Sequence, residues 1–255
     1  NIGTNAGGIK VIRYGMTRQW IMGLTVVTGK GDILQLNRGM VKNATGYDLR
    51  QLFIGSEGTL GLVTHAQIKL ERQPQDLNVM VLGMDNFNDV MNVLSAFQAK
   101  IDLMAFEFFD DVAIDKLMAH GQVQEPFESR TKFYTLLEFE APYEPIMDKA
   151  MAIFEECMEQ GWVVDGVMSQ SLAQAEELWK LREYISETIS VFTPYKNDVS
   201  VLISYVPEFI AEIDHIVSSN YPDFEVCWFG HIGDGNLHLN ILKPENMSKD
   251  DFFTE

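Results

Sequence analysis

Two histidines near the end of the chain, His231 and His238, are the residues whose type and spacing most directly suggest chemistry. They flank a run of small, turn-forming residues in the segment WFGHIGDGNLHLNI, residues 228–241. At its centre, Asp234-Gly235 is typical of a two-residue type I′ hairpin turn, and both flanks are β-prone. Such a turn would place His231 directly opposite His238 on one face of a hairpin, with Cβ atoms roughly 4.5–5.5 Å apart.

Two imidazoles at that separation could bind one divalent cation, since a ring nitrogen coordinates zinc at about 2.0–2.1 Å. Asn240 projects from the same face as His238, so it is a further candidate for a ligand or a substrate contact. Catalytic sites usually have three protein ligands, so a third ligand must come from elsewhere. The alternative is a half-exposed pair of stacked histidines beside a glycine turn, and the motif alone leaves both interpretations open.

Two glycine-rich loops near the start of the chain could bring backbone amides close to an anion or to the edge of a ring. They are TNAGG, residues 4–8, and GSEGTLG, residues 55–61. Neither loop fits the GxGxxG or the P-loop pattern, so neither supports a Rossmann or nucleotide-hydrolase function. The alternative is that each loop is a tight turn between strands. The segment IMGLTVVTGKGDILQL between the two loops predicts a β-hairpin.

The pattern of predicted elements changes at the polar, proline-containing segment ERQPQD, residues 71–76, where we expect a domain boundary. Residues 1–72 are predicted to form loops and short strands. Residues 73–255 alternate between strand and helix patterns, with a long helix predicted over 171–192 and a strand over 199–207. This order predicts an α+β domain in which helices pack on one face of an antiparallel sheet.

Composition narrows the class of protein and of partner. The chain has 255 residues, 46% hydrophobic and 22% charged, which is typical of one large or two ordinary globular domains. A formal charge of −18 argues against nucleic acid or an anionic membrane surface as a partner. No apolar run approaches the ~20 residues that a transmembrane helix needs.

The cysteines and the first residue are informative about the cellular compartment of the protein. Cys157 and Cys227 are far apart in the sequence, so we expect neither a disulfide framework nor a thiolate zinc site. A reducing, cytoplasmic location fits this best. Because the sequence opens at Asn1 without methionine, we expect a fragment, in which an N-terminal targeting signal would not be visible.

Four segments taken together resemble the FAD-linked 2-hydroxy-acid dehydrogenases, a group of vanillyl-alcohol-oxidase-type flavoproteins that includes D-lactate, glycolate and D-2-hydroxyglutarate dehydrogenases. These segments are TNAGGIKVIRYG, LTVVTGKGDILQLN, VKNATGYDLRQLFIGSEGTLGLVT and FGHIGDGNLHLNI. The resemblance covers nearly all of residues 1–72 and returns in patches from about Trp179 to Leu242. It implies that residues 1–72 are the later part of an FAD-binding domain. Residues 73–255 would be the substrate domain that caps the flavin, incomplete at its C-terminus.

The resemblance also implies roles for particular residues. His231 and His238 match ligands of a divalent cation, for which zinc is the first expectation, and Asn240 matches a substrate contact. Residues in and beside the two glycine loops match positions that line the FAD: Thr4, Asn5, Gly7, Gly8, Gly15, Glu57, Gly58, Gly61 and Val63. An arginine, a hydroxyl and a lysine that hold the substrate's carboxylates match Arg182, Ser186 and Lys196.

Arg182 and Ser186 are spaced i and i+4 on the predicted long helix, hence on one face. Without the resemblance, Arg182 beside Lys180 and Glu183 would be an ordinary solvated helix face. Ser186 stands where the family pattern has threonine, and the interval from Arg182 to Lys196 is one residue shorter, so the exact substrate stays open. The upstream half of the pyrophosphate loop is absent from the sequence. So is the downstream Glu-His pair that would supply the third ligand and a base, and we do not expect this chain alone to hold FAD or to turn over.

The activity implied by the resemblance is FAD-dependent oxidation of a D-2-hydroxy acid, D-2-hydroxyglutarate or D-lactate-like, with hydride transfer to flavin N5. Arg182 would offer a bidentate fork and Lys196 a point charge, while the cation polarises the hydroxyl. Expected partners are a small 2-hydroxy acid, an unidentified electron acceptor and, as an open expectation, a second copy in a homodimer. A flavin-free metal-dependent hydrolase and a non-catalytic structural fragment remain as alternatives.

Overall fold

The protein is described by a computed structural model that covers residues 1–121 and 123–255. The chain divides into two compact units, Asn1–Gln73 and Pro74–Glu255. Both glycine loops belong to the first unit, and the histidine motif belongs to the second. None of the described helices is long and apolar enough to span a membrane.

The first unit is built on a three-stranded antiparallel sheet. Its elements are α1 (Val11–Tyr14), β1 (Ile21–Thr28), β2 (Ile33–Leu36), α2 (Arg50–Phe53) and β3 (Gly61–Ile68). The strand order is β2-β1-β3, so the hairpin predicted from the sequence is confirmed. Apolar residues of β1 such as Leu24 and Val26 pack against Phe53 and Ile54 to form a small core.

The second unit contains a seven-stranded sheet in which every pairing is antiparallel. Its strands are β4 (Leu77–Met84), β5 (Leu103–Asp110), β6 (Phe133–Glu140), β7 (Asp165–Met168), β8 (Tyr195–Ser200), β9 (Glu225–His231) and β10 (Asn236–Leu242). They lie in the order β7-β4-β6-β5-β9-β10-β8. Its helices are α3 (Phe87–Gln98), α4 (Asp111–His120), α5 (Glu144–Glu159), α6 (Leu172–Glu183), α7 (Ile185–Thr188), α8 (Val206–Asn220) and α9 (Lys249–Thr254).

The predicted α+β class with an antiparallel sheet is confirmed, but helices cover both faces of this sheet rather than one. Phe108 and Phe109 are consecutive on β5, so they point to opposite faces, and both are fully buried. Phe108 packs edge to face on Phe87 of α3, with ring centroids 5.4 Å apart. Phe109 belongs instead to an apolar cluster with Ala113 of α4 and Leu181 of α6. The physical reason is visible in β4, β5 and β6, whose near-continuous apolar sequences are typical of strands buried on both faces.

Two predicted elements of the second unit have different bounds. The long helix predicted over 171–192 is interrupted at Tyr184, where α6 gives way to α7, and it tightens into a 3-10 turn over Ile189–Phe192. The strand predicted over 199–207 is wrong in its bounds, because β8 begins and ends earlier. The alternating apolar residues there have the pattern of a strand. However, Pro207 lies in the first turn of α8, which is a favoured position for proline. The residues before it form the turn that leads into this helix.

Candidate active site

The hairpin of β9 and β10 carries both histidines, but its turn is longer than predicted. Ile232–Gly235 form a four-residue loop, closed by a 3.1 Å hydrogen bond from Asp234 N to His231 O. Gly235 has a left-handed φ of 79°. Consequently His231 pairs with Asn236, and His238 pairs with a different residue of β9. The predicted two-residue turn and the direct pairing of the histidines are therefore wrong.

The side chain of Asp234 explains part of this difference. Its Oδ1 accepts a 3.0 Å hydrogen bond from Asn236 N, two residues on. Such a local carboxylate–backbone contact stabilises a turn of its own and competes with the type I′ geometry that the Asp-Gly dipeptide favours in isolation. The added loop residues shift the pairing by two positions.

The two imidazoles remain neighbours, because a shift of two residues leaves side chains on the same face of a strand. The ring centroids of His231 and His238 lie 5.2 Å apart at an interplanar angle of 83°. The His238 ring also lies 5.0 Å from that of Phe229, and its Nδ1 is 3.6 Å from Asp198 Oδ1. Burial, followed by the charge of Arg182, lowers the pKa of His238 to about 4. Its ring is therefore neutral at pH 7, the form that binds a cation.

A buried glutamate that sequence reasoning did not single out joins two of the predicted residues. Glu107 on β5 is 0% exposed. His231 Nδ1 lies 2.8 Å from each of its carboxylate oxygens, and Arg182 Nε lies 2.8 Å from Oε2. The Arg182 N–H is not aligned with that oxygen, so the second contact is an ion pair rather than a directed hydrogen bond. The available signal was one charged residue inside the apolar strand LMAFEFF, since a buried charge requires a partner.

Arg182 reaches this cluster from α6 and is itself only 6% exposed. Its guanidinium lies over the ring of Phe229, with Cζ 4.8 Å from the centroid, in a cation–π contact. Burial lowers the pKa of Arg182, and the neighbouring carboxylate of Glu107 opposes that shift. An arginine stays charged under these conditions. A solvated helix face, which the sequence allowed for Arg182, does not describe this side chain.

Three more predicted residues lie on β8, β10 and α7. Lys196 Nζ donates to Ser186 Oγ at 3.4 Å, so the structure brings this pair together. Lys196 is also the cross-strand partner of Asn240, and opposed residues of a sheet share one face. Asn240 is buried, and its Nδ2 donates to His238 O on the same strand at 3.1 Å, which fixes the orientation of the amide.

Backbone hydrogen bonds join the second glycine loop of the first unit to the residues immediately before the first loop. Gly55 N donates to Ile2 O at 3.0 Å, and Glu57 N donates to Gly3 O at 2.9 Å. Asn5 and Glu57, one in each loop, both have a φ of 49°. Left-handed backbone is uncommon for residues other than glycine, and it occurs often in ligand-binding loops. The second loop is therefore held next to the segment that leads into the first.

The glycines of these loops fall into two groups according to the space around them. At Gly8 and Gly58 an added Cβ would meet no protein atom within 4 Å, so a ligand could approach the backbone closely. At three other glycines an added Cβ would collide with neighbouring atoms of the chain, so the surrounding packing disfavours a side chain there: Gly7, Gly15 and Gly61. Thr4 is exposed, and Val63 packs partly on the small core. The backbone is thus open to close approach by a ligand at two of the predicted glycines.

A divalent cation would find part of a ligand set in the second unit. Within residues 1–121 and 123–255, no group of three or more His, Cys, Asp or Glu side chains could hold a metal ion. The residues present offer two imidazole donors on one sheet face, and a cation there would need further ligands. The carboxylate on His231 Nδ1 is the outer partner that metal-binding histidines usually have.

Comparison with known proteins assigns the class of this chain. The family model described as FAD linked oxidases, C-terminal domain, matches residues 73–252. The chain therefore belongs to the FAD-linked oxidase family.

Its relatives include enzymes of one specificity. Over 253 residues the chain is 66% identical to D-2-hydroxyglutarate dehydrogenase of Stutzerimonas stutzeri (strain A1501), covering 99% of this chain and 54% of that protein. It is 56% identical over 252 residues to the enzyme of the same name from Xanthomonas citri pv. viticola, covering 99% and 53%. It is 35% identical over 251 residues to the mitochondrial D-2-hydroxyglutarate dehydrogenase of Danio rerio, and the match covers 96% of this chain and 46% of that protein. The chain thus spans about half the length of the relatives it matches.

Solved structures share the fold at low sequence identity. An alkyldihydroxyacetonephosphate synthase has a TM-score of 0.69 and 15% identity, with 99% of this chain and 50% of that chain covered. A p-cresol methylhydroxylase with substrate bound has a TM-score of 0.61 and 10% identity, with 94% and 54% covered. These likenesses establish the architecture and carry nothing about the substrate.

Proposed function

We propose that this chain supplies the substrate-binding domain and part of the FAD-binding domain of a D-2-hydroxyglutarate dehydrogenase, which oxidises its substrate to the 2-oxo acid. Residues 1–72 are assigned to the FAD-binding domain and residues 73–255 to the substrate domain. The observation that carries the proposal is the convergence of Arg182, His231 and Glu107 at one buried point. Relatives at 66% and 56% identity that bear this name support the choice of substrate.

Substrate binding follows from the positive charges of the site. 2-Hydroxyglutarate has two carboxylates, and Arg182 and Lys196 are two cations that can each bind one. The planar fork of Arg182 suits bidentate binding of a carboxylate, whereas Lys196 supplies a point charge with Ser186 as a neighbouring hydroxyl. The formal charge of the chain is −18, so attraction for a dianion has to be local rather than general.

The residues that act on the substrate hydroxyl are the histidines. His231 and His238 would hold a divalent cation, zinc by expectation, with Asn240 on the same strand as a substrate contact. That cation supplies Lewis-acid polarisation, which lowers the pKa of a bound hydroxyl. FAD, when bound, supplies the hydride acceptor. Of the glycines proposed as FAD contacts, Gly8 and Gly58 are the two at which the backbone is open to a ligand.

The family assignment bears on the alternatives. A flavin-free hydrolase would need only the histidine pair, but the chain belongs to FAD-linked oxidases. A purely structural domain would gain nothing from enclosing Arg182 and Glu107, because buried ion pairs contribute little net stability compared with apolar residues. Both alternatives are therefore less well supported than the dehydrogenase.

The proposal is tested by anaerobic reduction of the flavin in the full-length protein. Separate samples receive D-2-hydroxyglutarate, D-malate, D-lactate or glycolate, and the loss of flavin absorbance is followed by stopped flow. We expect D-2-hydroxyglutarate to bleach the flavin fastest. A colourless protein that takes up no FAD, or a flavin that none of the four compounds reduces, would refute the proposed activity. Faster bleaching by D-lactate would refute the proposed substrate.

A further inference from the structure

Glu107 occupies an environment that strongly disfavours a carboxylate. All eight residues of β5 are buried, and the neighbours of Glu107 on the strand are the phenylalanines Phe106 and Phe108. A charge removed from water in this way is stable only when it is paired and hydrogen-bonded. The partners of Glu107 are therefore the reason that a glutamate can exist at this position.

The register of the sheet brings Glu107 to His231. Phe108 pairs with Gly230 and Phe109 with Phe229, so one step further along both strands Glu107 lies opposite His231. Side chains of opposed residues share a face, and on that face the imidazole meets both carboxylate oxygens at 2.8 Å. Arg182 reaches the same carboxylate from α6 at 2.8 Å.

The chemistry of this contact selects one form of the imidazole. An ionised carboxylate has only acceptors, so the nitrogen of His231 that faces it must carry a proton. That nitrogen is Nδ1, which leaves Nε2 with the lone pair in the neutral ring. The same carboxylate lies on the Nε of Arg182.

We propose that Glu107 is a positioning residue that locks His231 as the Nδ1-protonated tautomer and so presents Nε2 to the cation. It would also anchor the Nε edge of Arg182. The cation in this statement rests on the proposed function, whereas the tautomer does not. His238 has no equivalent anchor in the described residues, because its nearest carboxylate, Asp198, is exposed and 3.6 Å from Nδ1. The two histidines are thus held differently.

Two measurements on the full-length protein test this role. The first is the tautomer of His231 in the wild type, read from long-range proton–nitrogen correlations of the imidazole and assigned with a His231→Gln variant. We expect Nδ1 to be protonated and Nε2 to be unprotonated. The second is the affinity for Zn²⁺, measured by chelator competition in wild type and in Glu107→Gln. A loss of roughly 10–100-fold is expected, as is usual when an outer partner of a metal-binding histidine is removed.

The matched control is Glu138→Gln. Glu138 is another buried glutamate on the same sheet, and its carboxylate accepts from Trp179 Nε1 of α6 at 2.9 Å. A general effect of removing a buried charge would appear in both variants. The proposal requires the Zn²⁺ affinity to stay at the wild-type value in Glu138→Gln and to fall in Glu107→Gln.

The outcomes separate this inference from the proposed function. An Nε2-protonated His231 in the wild type, or unchanged Zn²⁺ affinity in Glu107→Gln, would overturn the role of Glu107 even if D-2-hydroxyglutarate reduces the flavin. A locked tautomer in a protein whose flavin no substrate reduces would leave Glu107 supported and the dehydrogenase refuted. If Glu107→Gln does not fold, or the wild type binds no Zn²⁺, the role of Glu107 is judged from the tautomer of His231 in the wild type alone.

Discussion

His231 and His238 are spatial neighbours with ring centroids 5.2 Å apart, although neither is the cross-strand partner of the other. They occupy diagonal positions on one face of the β9–β10 hairpin. Diagonal side chains of a hairpin are normally farther apart than opposed ones, but long side chains can still meet across that distance. The geometry that makes the pair chemically interesting therefore depends on the four-residue turn that sets the register.

Loss of either imidazole should weaken metal binding more than loss of an outer partner does. We expect His238→Ala to lower the Zn²⁺ affinity of the full-length protein by at least about 100-fold, the upper end of outer-partner effects. Chelator competition measures this directly. His215→Ala is the control, because His215 is exposed on α8. Equal affinities in the two variants would mean that the pair is a packing contact.

Lys196 should discriminate between substrates with one and with two carboxylates. Replacing it by glutamine removes a charged partner whose hydrogen bond contributes about 1.5–3 kcal/mol, so kcat/KM for D-2-hydroxyglutarate should fall roughly 10–100-fold. The value for D-lactate should fall much less. Lys180→Gln on α6 removes a partly exposed lysine paired with Glu177 and should change neither value. A parallel loss for both substrates in Lys196→Gln would contradict binding of a second carboxylate.

Two neighbouring glycines should separate cofactor binding from folding. Gly8→Ala adds a methyl group where no protein atom lies within 4 Å, so the apo protein should keep its unfolding temperature while FAD affinity falls. Gly7→Ala places the same group 2.7 Å from Met16 Sδ, so it should lower the unfolding temperature as well. Fluorescence titration with FAD and thermal unfolding of the apo protein measure the two effects. Wild-type FAD affinity in Gly8→Ala would argue against cofactor contact there.

Asp110 is expected to be a determinant of stability rather than of chemistry. Its carboxylate accepts from Ala113 N at 2.9 Å as the N-cap of α4 and from Trp228 N at 2.7 Å on β9. Asp110→Ala should lower the free energy of unfolding by about 2–4 kcal/mol, combining a lost cap with an unsatisfied buried N–H. Urea unfolding measures this. Asp111→Ala, at the adjacent half-exposed position, should cost much less, and equal losses would contradict this bridging role.

Most secondary structure was predictable because it depends on local patterns. The apolar spacing over α3 and the glycine after α4, which adopts a φ of 75°, each lie within a few residues of the element they define. Prediction failed where two local signals competed. Apolar alternation from residue 199 favoured a strand, but Pro207 favoured the start of a helix, and the helix signal governs the observed structure.

Only part of the candidate site could be predicted from local sequence patterns. The histidine motif and the glycine loops are visible as short segments, and the resemblance pointed to Arg182, Ser186 and Lys196. Glu107 was missed because its partner His231 is 124 residues away in the sequence. The sequence of the strand LMAFEFF does not indicate which residue pairs with it. The burial of Arg182 was equally invisible, since a lone arginine between polar helix residues has the local pattern of a surface position.

The sequence by itself determined the α+β class, most element positions and the residue types available for chemistry, because these follow from periodicity and turn preference over short windows. The tertiary structure alone decided which of those residues meet. The hairpin register depends on a turn stabilised by Asp234 and Gly235, and the enclosure of Glu107 depends on helices that cover both faces of the sheet. The register is the outcome of two competing local turn geometries, whereas the enclosure of Glu107 is set by contacts between distant segments, which no local pattern encodes.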